Sequence, residues 1–294
     1  MSGRIDRGSW QKAAVQIGEK AYQALLEEAY TTPKPGLVDL YSSGAHRDMD
    51  IHTFETSAEA LLPYFIDMTI QGIKSGGEPE ALFKSLRRSG ALAEQAMVRA
   101  TRGINTHKGA IFTLGLLCGA AGRCIREEGA VKQQALIGTE LLMARRILLE
   151  EIESIKKRAA MSGGERNIQQ YGRMGIRGEA AKGYPSVTEI GLPVLRAGIR
   201  SGKEWNLVKL QILFSLMSRV EDSNIITRHH PGVLIQVQTE ADEFLKNGGA
   251  YAPGAIDKLV KMDRRYTEKN ISAGGCADLL AAAVFIHSIT GGEP

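Results

Sequence analysis

The sequence predicts an all-α protein, a single compact domain of about ten helices over residues 1–294 with long functional loops. Three observations carry that expectation. Strand-like alternation is scarce. Apolar residues recur every three to four positions through most of the chain, the spacing of a helix with one buried face. The breaks between these runs hold Gly, Pro and Asn, and no internal repeat, low-complexity linker or change of composition marks a domain boundary.

Taken in order, the first helix spans Trp10 to Tyr30, where Val15, Ile17, Tyr22, Leu25 and Leu26 recur near helical spacing. Thr53 fits the N-cap of a second helix reaching Lys74, in which Pro63 should cause a kink. Glu78 to Ala100 follows, with Pro79 suited to the first turn. Helices then run from Lys108 to Glu128 and from Gln133 to Lys157. Ser162 to Tyr184 reads as a long glycine-rich interruption. Five more helices are expected over Ser186–Arg200, Glu204–Glu221, Val233–Lys246, Ala255–Asn270 and Cys276–Ser288.

Composition narrows the function. Hydrophobic content of 43% and charged content of 24% are ordinary for a globular protein with a sizeable core. The net charge of +4 comes without a basic block or basic–aromatic alternation, which argues against nucleic acid as a partner. Cys118, Cys124 and Cys276 form no CxxC pair, so free thiols in a reducing, cytoplasmic setting are expected. The N-terminus lacks a signal-peptide run, and the apolar stretch Ile111–Ala121 is shorter than the roughly 20 residues a membrane span needs. No membrane role is expected, and composition does not set the oligomeric state, a homo-oligomer included.

The stretch Thr31–Glu59 concentrates two prolines, two glycines, three aspartates, two histidines and a lysine, far more chemistry than a plain connection carries. Pro33 and Pro35 stiffen the backbone around Lys34, which suits a charge held out toward an anion. Pro35-Gly36 fits the centre of a type II turn. Further on, His46, Asp48, Asp50 and His52 alternate, so an extended backbone would put all four on one side. Zinc is one reading of that alternation; carboxylates and anion-binding signals elsewhere favour magnesium.

Other breaks place charges at unexpected helix ends. In Gly103–Gly109, Asn105 or Thr106 can cap the next helix, yet Lys108 then sits at the positive end of the helix dipole. A bound anion would reward it there. At Arg219–Asn224 the acids Glu221 and Asp222 close a helix whose end is already negative, and either a magnesium ion or a neighbouring arginine would relieve them. Gly274 and Gly275 precede the last helix, where a ligand can approach the backbone, and Asp278 suits its first turn. The glycine-rich stretch adds Arg166, Arg173, Arg177 and Lys182. No Walker-type or dinucleotide glycine motif is present. His229-His230-Pro231 looks like a metal pair, but adjacent histidines point apart and no third ligand has matching spacing.

These breaks together resemble the triphosphoribosyl-dephospho-coenzyme A synthase family. The pieces that carry the resemblance are Pro33–Asp39 (PKPGLVD), Gly44–Asp50 (GAHRDMD) with Thr53-Phe54, Gly103–Phe112 (GINTHKGAIF), Arg177–Val187 (RGEAAKGYPSV), Glu221–Arg228 (EDSNIITR) and Ser272–Ala281 (SAGGCADLLA). They keep that order across most of the chain. The family often has proline where Ala273 stands and glycines where His229-His230-Pro231 stand.

The resemblance implies an all-α fold and transfer of the 5-triphosphoribosyl group of ATP to the 2′-hydroxyl of 3′-dephospho-CoA, with release of adenine. The product is the precursor of a prosthetic group, which implies functional partners: an acyl carrier protein of citrate lyase or malonate decarboxylase and its prosthetic-group transferase. On that basis Lys34, Lys108, Arg177 and Arg228 are expected on phosphates, with Asn105, Thr106, His107, Asn224, Gly274, Gly275 and Asp278 completing the nucleotide site. Glu221 and Asp222 are expected to bind Mg²⁺, with Asp48 or Asp50 as further candidates, and Asp39 or His46 to act as general base. Two other readings use the same residues: a noncatalytic nucleotide-binding accessory protein, and a metal-dependent hydrolase of ADP-ribose-like glycosides.

Overall fold

The computed structural model describes residues 7–292, among which there is no strand. Five long helices come first: α1 (Arg7–Tyr30), α2 (Ile51–Lys74), α3 (Pro79–Ala100), α4 (Lys108–Glu128) and α5 (Gln133–Ile155). Short helices α6 (Gly163–Tyr171) and α7 (Gly175–Ala181) follow, then a π-helical turn, Ser186–Gly191, that leads into α8 (Leu192–Arg200). The chain continues through α9 (Trp205–Met217), α10 (Ser223–Arg228), α11 (Pro231–Lys246), α12 (Ala255–Glu268) and α13 (Gly274–Ile289). The all-α expectation holds, with three more α-helices than the ten expected.

One continuous core joins these helices, with a small satellite of Ile152, Ile155 and Ile168 beneath α6. α4 is apolar and buried on most sides, as are α9 and α13, the pattern of a central helix rather than an amphipathic surface one. α4 is long and apolar enough to cross a membrane, but here it is core. α2 packs on it at unusually short range. A Cβ added at Gly72 would lie 2.0 Å from the Gly119 carbonyl, and one at Gly122 2.1 Å from that of Thr69. α2 runs unbroken through Pro63, which faces solvent, so the carbonyl deprived of its partner belongs to exposed Glu59.

Four local expectations are corrected. The glycine-rich interruption is largely helical: Ser162 accepts from Glu165 N–H to start α6, and Gly172 at φ 67° ends it. Ser186–Arg200 is not one α-helix. Pro193 has no N–H to give the preceding turn, and the chain takes the wider π-helical turn before α8. Asp50, not Thr53, caps α2, with Thr53 as its reciprocal partner in a capping box. Finally, Glu221 and Asp222 do not finish a helix: α9 stops at Met217 and Asp222 opens α10.

Asp222 does more than open a short helix. Its Oδ1 accepts from Asn224 N–H at 2.8 Å and Ile225 N–H at 3.3 Å, while Oδ2 accepts from Cys276 N–H at 2.8 Å. One buried carboxylate therefore caps α10 and α13 together. Gly274 and Gly275 make this approach possible, since added Cβ atoms would lie 2.7 Å from the Asn224 amide and 3.0 Å from Asp222 Oδ2.

The glycine contact between α2 and α4 gives a direct test. Gly122→Ala should destabilise the protein by about 1–3 kcal/mol through overpacking against the Thr69 carbonyl. A lowered midpoint in urea unfolding checks it; an unchanged midpoint would contradict the packing described here.

Candidate active site

The breaks between helices converge on one cleft of about 1450 Å³. Its wall takes residues from the loop before α2, the start of α4, the α6–α7 segment, α10 and the start of α13. Fourteen of the seventeen residues expected from the sequence line it: His46, Asp48, Asn105, Thr106, His107, Lys108, Arg177, Glu221, Asp222, Asn224, Arg228, Gly274, Gly275 and Asp278. Lys34, Asp39 and Asp50 do not.

The three exceptions hold the loop in shape. Pro35-Gly36 forms the expected turn, with Gly36 at φ 70° and Leu37 N–H on the Lys34 carbonyl at 3.0 Å. Asp39 is buried, and its carboxylate accepts from the N–H groups of Lys34, Tyr41 and Ser42 at 2.8–2.9 Å. That geometry makes it a loop brace. Asp50 is an exposed helix cap, and the alternation from His46 breaks because α2 begins at Ile51; His52 points to solvent. Lys34 is turned inward with no exposed surface, and its ammonium is bonded to the Glu28 carboxylate and, at 2.7 Å, to the Glu28 carbonyl. Glu28, not Lys34, reaches the cleft.

Glu28 is a residue that sequence reasoning missed. It lies inside the α1 pattern, where a glutamate ordinarily reads as a solvated face, and nothing local distinguishes it. Glu179 was also missed: its carboxylate accepts from Ser186 N–H and Oγ, tying α7 to the π-helical turn at the cleft rim.

Charge is distributed unevenly over the wall. Lys108 pairs with Glu94 of α3, which answers its unfavourable place at the helix start. Arg177 and Lys182 make no ion pair among the described residues and both face the cleft. Arg228 gives Nη1 to the Ala45 carbonyl at 3.2 Å and to Asn270 Oδ1 at 3.0 Å. Its Nη2 stands 3.3 and 3.2 Å from the two ring nitrogens of His46, and His46 Nε2 lies 3.3 Å from Ser272 Oγ. Burial, then the charge of Arg228, lowers the His46 pKa below the ordinary 6.5, against a smaller pull from Asp48. His46 is thus a neutral ring at the cleft wall.

Asp278 stands at the floor, partly exposed to the cleft, and receives a bond from Ala110 N–H at the start of α4. Gly109 is required beside it, because a Cβ there would lie 2.0 Å from Asp278 Oδ2. Desolvation, then the carboxylates of Glu28 and Asp222, push the Asp278 pKa well above the usual range. Burial raises Asp222 too, against its three backbone donors. His107 is buried, its Nδ1 2.7 Å from Ser57 Oγ. Burial, helped by the Lys34 charge, pulls its pKa down to about 3.

A dedicated metal cage does not fit these residues. Glu221 is half-exposed and paired with Arg173, the oxygens of Asp222 are engaged by three N–H groups, and no cluster of three or more His, Cys, Asp or Glu is set to hold an ion among the described residues. The His229-His230 pair is structural. His229 Nε2 meets the Asn270 carbonyl at 2.9 Å, and His230 Nδ1 accepts from Gly232 N–H to cap α11. Ala273 is buried and takes φ −89° as the residue before α13.

A helical scaffold that brings unpaired cations, neutral histidine and a raised carboxyl to one deep cleft, without a kinase-type glycine loop, defines an all-α transferase acting on a polyanionic substrate. The chain belongs to the ATP:dephospho-CoA triphosphoribosyl transferase (CitG) family, whose model matches residues 14–294. It is 39% identical over 274 residues to a probable 2-(5″-triphosphoribosyl)-3′-dephosphocoenzyme-A synthase of Vibrio cholerae serotype O1 (strain M66-2), covering 93% of this chain and 88% of that one. A Salmonella gallinarum protein of the same description is 37% identical over 282 residues, covering 96% and 93% of the two chains. One from Pectobacterium carotovorum subsp. carotovorum (strain PC1) is 39% identical over 274 residues, covering 92% and 88%. No solved structure matches the chain.

The burial of His107 has a measurable consequence. Its folded pKa of about 3 lies below the ordinary 6.5, so the unfolded chain binds the extra proton first and stability falls as pH drops from 6.5 toward 3. Above pH 6.5 this contribution is complete. His107→Gln should flatten that part of the stability–pH curve, as measured by urea unfolding at a series of pH values; an unaltered slope would show that other groups set it.

Proposed function

We propose that this chain transfers the 5-triphosphoribosyl group of ATP to the 2′-hydroxyl of 3′-dephospho-CoA, releasing adenine. Family membership supports the reaction class. The observation that carries the reading to this chain is the cleft itself. Its volume of about 1450 Å³ exceeds the roughly 300–1,000 Å³ of a site for one drug-sized ligand, and it must hold two nucleotides at once.

The reaction breaks the N-glycosidic bond from ribose C1′ to adenine N9 and forms a bond from C1′ to the incoming oxygen. No phosphoryl group moves, consistent with the missing Walker motif. The triphosphate is a handle, and Arg177, Lys182, Arg219 and Arg228, which all line the cleft, are proposed to take it. Lys108 joins them by leaving the partly buried Glu94. His46 is the general base for the 2′-hydroxyl, being neutral and within reach of the cleft. Asp278, protonated, is the acid for departing adenine, and ionised carboxylates nearby favour the positive charge growing on the sugar. The hydroxyl proton ends on His46 and the Asp278 proton on adenine, and solvent exchange restores both.

Mg²⁺ enters with ATP, held mainly by phosphate oxygens, as this ion usually is. Glu221, on leaving Arg173, and Asp48 both line the cleft and would supply further carboxylate oxygens to such an ion. The uncombined thiols suit a reducing compartment, and the cytoplasm is the proposed location. The product's proposed users are an acyl carrier protein of citrate lyase or malonate decarboxylase and its prosthetic-group transferase.

Two outcomes are expected. The rate of adenine release, as kcat/KM against pH, should rise through an acid limb below the ordinary histidine value of 6.5 and fall through an alkaline limb set by Asp278. His46→Gln should remove the first limb and Asp278→Asn the second, each with a loss of about 10²–10⁴-fold; limbs that survive both changes would reject these roles. Excess chelator should abolish adenine release and added Mg²⁺ restore it, whereas full activity in chelator would exclude a metal-borne ATP.

A further inference from the structure

One arm of the cleft is apolar. Phe54 and Met68 of α2, Leu86 of α3, and Ile111, Phe112 and Leu116 of α4 line it. Polyphosphate gains little against these side chains, because desolvating an anion here is costly, and the two cations that line the cleft from the same helices, Arg87 and Lys108, are paired with Glu151 and Glu94. His107 stands at its edge, the rings of His107 and Phe54 meeting edge to face with centroids 4.8 Å apart at 74°.

The hydrogen bonds around His107 fix where its proton lies. Thr106 Oγ1 donates to Ser57 Oγ at 2.6 Å. Ser57 Oγ is 2.7 Å from His107 Nδ1. Ser57 Oγ accepts from Thr106, and its own hydrogen has no other acceptor among the described residues, so it donates to Nδ1. The imidazole proton is then on Nε2. That nitrogen is buried and has no partner among the described residues. His107 does not cap α4 through its side chain, and its backbone N–H goes to Met97 Sδ at 3.3 Å. A buried donor without an acceptor is costly and rare; in a cleft wall it marks the place of an acceptor that arrives with the ligand.

We propose that the apolar lobe seats the adenine of ATP, and that His107 donates its Nε2–H to a ring nitrogen, N3 or N7, of the departing base. This rests on the transfer reaction of the preceding subsection and assigns its leaving-group subsite. Adenine is the flat, weakly polar part of ATP with acceptor nitrogens on its edge, which is what an aromatic-lined lobe with one buried donor accommodates. As the C1′–N9 bond breaks, its electron pair moves onto the base and the ring nitrogens become better acceptors. The bond from Nε2–H therefore strengthens toward the transition state and lowers the barrier. His107 transfers no proton; the depressed pKa keeps it a neutral donor throughout. Ser57 and Thr106 are positioning residues that hold the tautomer.

The test compares ATP, 3-deaza-ATP and 7-deaza-ATP with full-length wild type and His107→Gln, following release of the free base in the presence of dephospho-CoA. With ATP the variant should lose about 10²-fold in kcat. With the analogue that lacks the contacted nitrogen, wild type and variant should differ by no more than about twofold, because the interaction is already gone. An equal wild-type-to-variant ratio on all three nucleotides overturns the proposal. So does a variant whose defect is a raised KM for dephospho-CoA, which would give the lobe to the pantetheine arm. Should His107→Gln fail to fold, Ser57→Ala is taken through the same cycle, with Ser57→Thr expected to restore the rate. Failure of the underlying reading looks different: wild type then releases no base from any of the three.

Discussion

The bonds accepted by Asp222 are what the rest of the site depends on. The carboxylate satisfies N–H groups at the starts of α10 and α13, elements separated by two further helices in sequence. Fixing those two helix ends fixes Arg228, at the far end of α10, and the Gly274-Gly275 wall at the start of α13. Arg228 in turn holds His46 and the Ala45 carbonyl, so the loop before α2 takes its position from the same fastening. Charge-assisted bonds to backbone amides are stronger than neutral ones, and burial makes their loss expensive.

A second division of labour concerns ionised and neutral groups. Lys34 directs its charge below the surface to Glu28; of the cations that line the cleft, Arg87 and Lys108 are paired with Glu151 and Glu94, while Arg177 and Lys182 of the α7 region make no ion pair among the described residues. The floor and the apolar arm carry groups that burial shifts toward their uncharged forms, Asp278 and His107. Donors without net charge suit a leaving base, and fixed cations suit a triphosphate. One cleft can therefore treat the two ends of ATP differently.

Much of this was legible in the chain. Helical periodicity located ten of the thirteen α-helices of the described residues, because each buries an apolar face or is buried throughout. The polar breaks proved to face a common cleft, as the charges at odd helix ends implied. Lys34 was misread because a lysine between prolines looks presented to solvent, and nothing in its neighbourhood says that Glu28, one turn inside α1, will take it inward. Asp222 was misread in context: Asp-Ser-Asn is as good a helix start as Glu-Asp is a helix finish, and only the partner at Cys276 decides between them. Glu28 and the relay from Thr106 through Ser57 to His107 depend on tertiary pairing between distant helices, which leaves no periodic trace.

The start of α13 supplies both the floor carboxyl, Asp278, and the amide that Asp222 holds. It lies within about two dozen residues of the end of the sequence and packs against α1 at the other. During synthesis the pocket has no floor until that last helix leaves the ribosome. A chain cut short before Gly274 lacks a core helix as well as the floor carboxyl and the amide that Asp222 holds, so it has no complete nucleotide site.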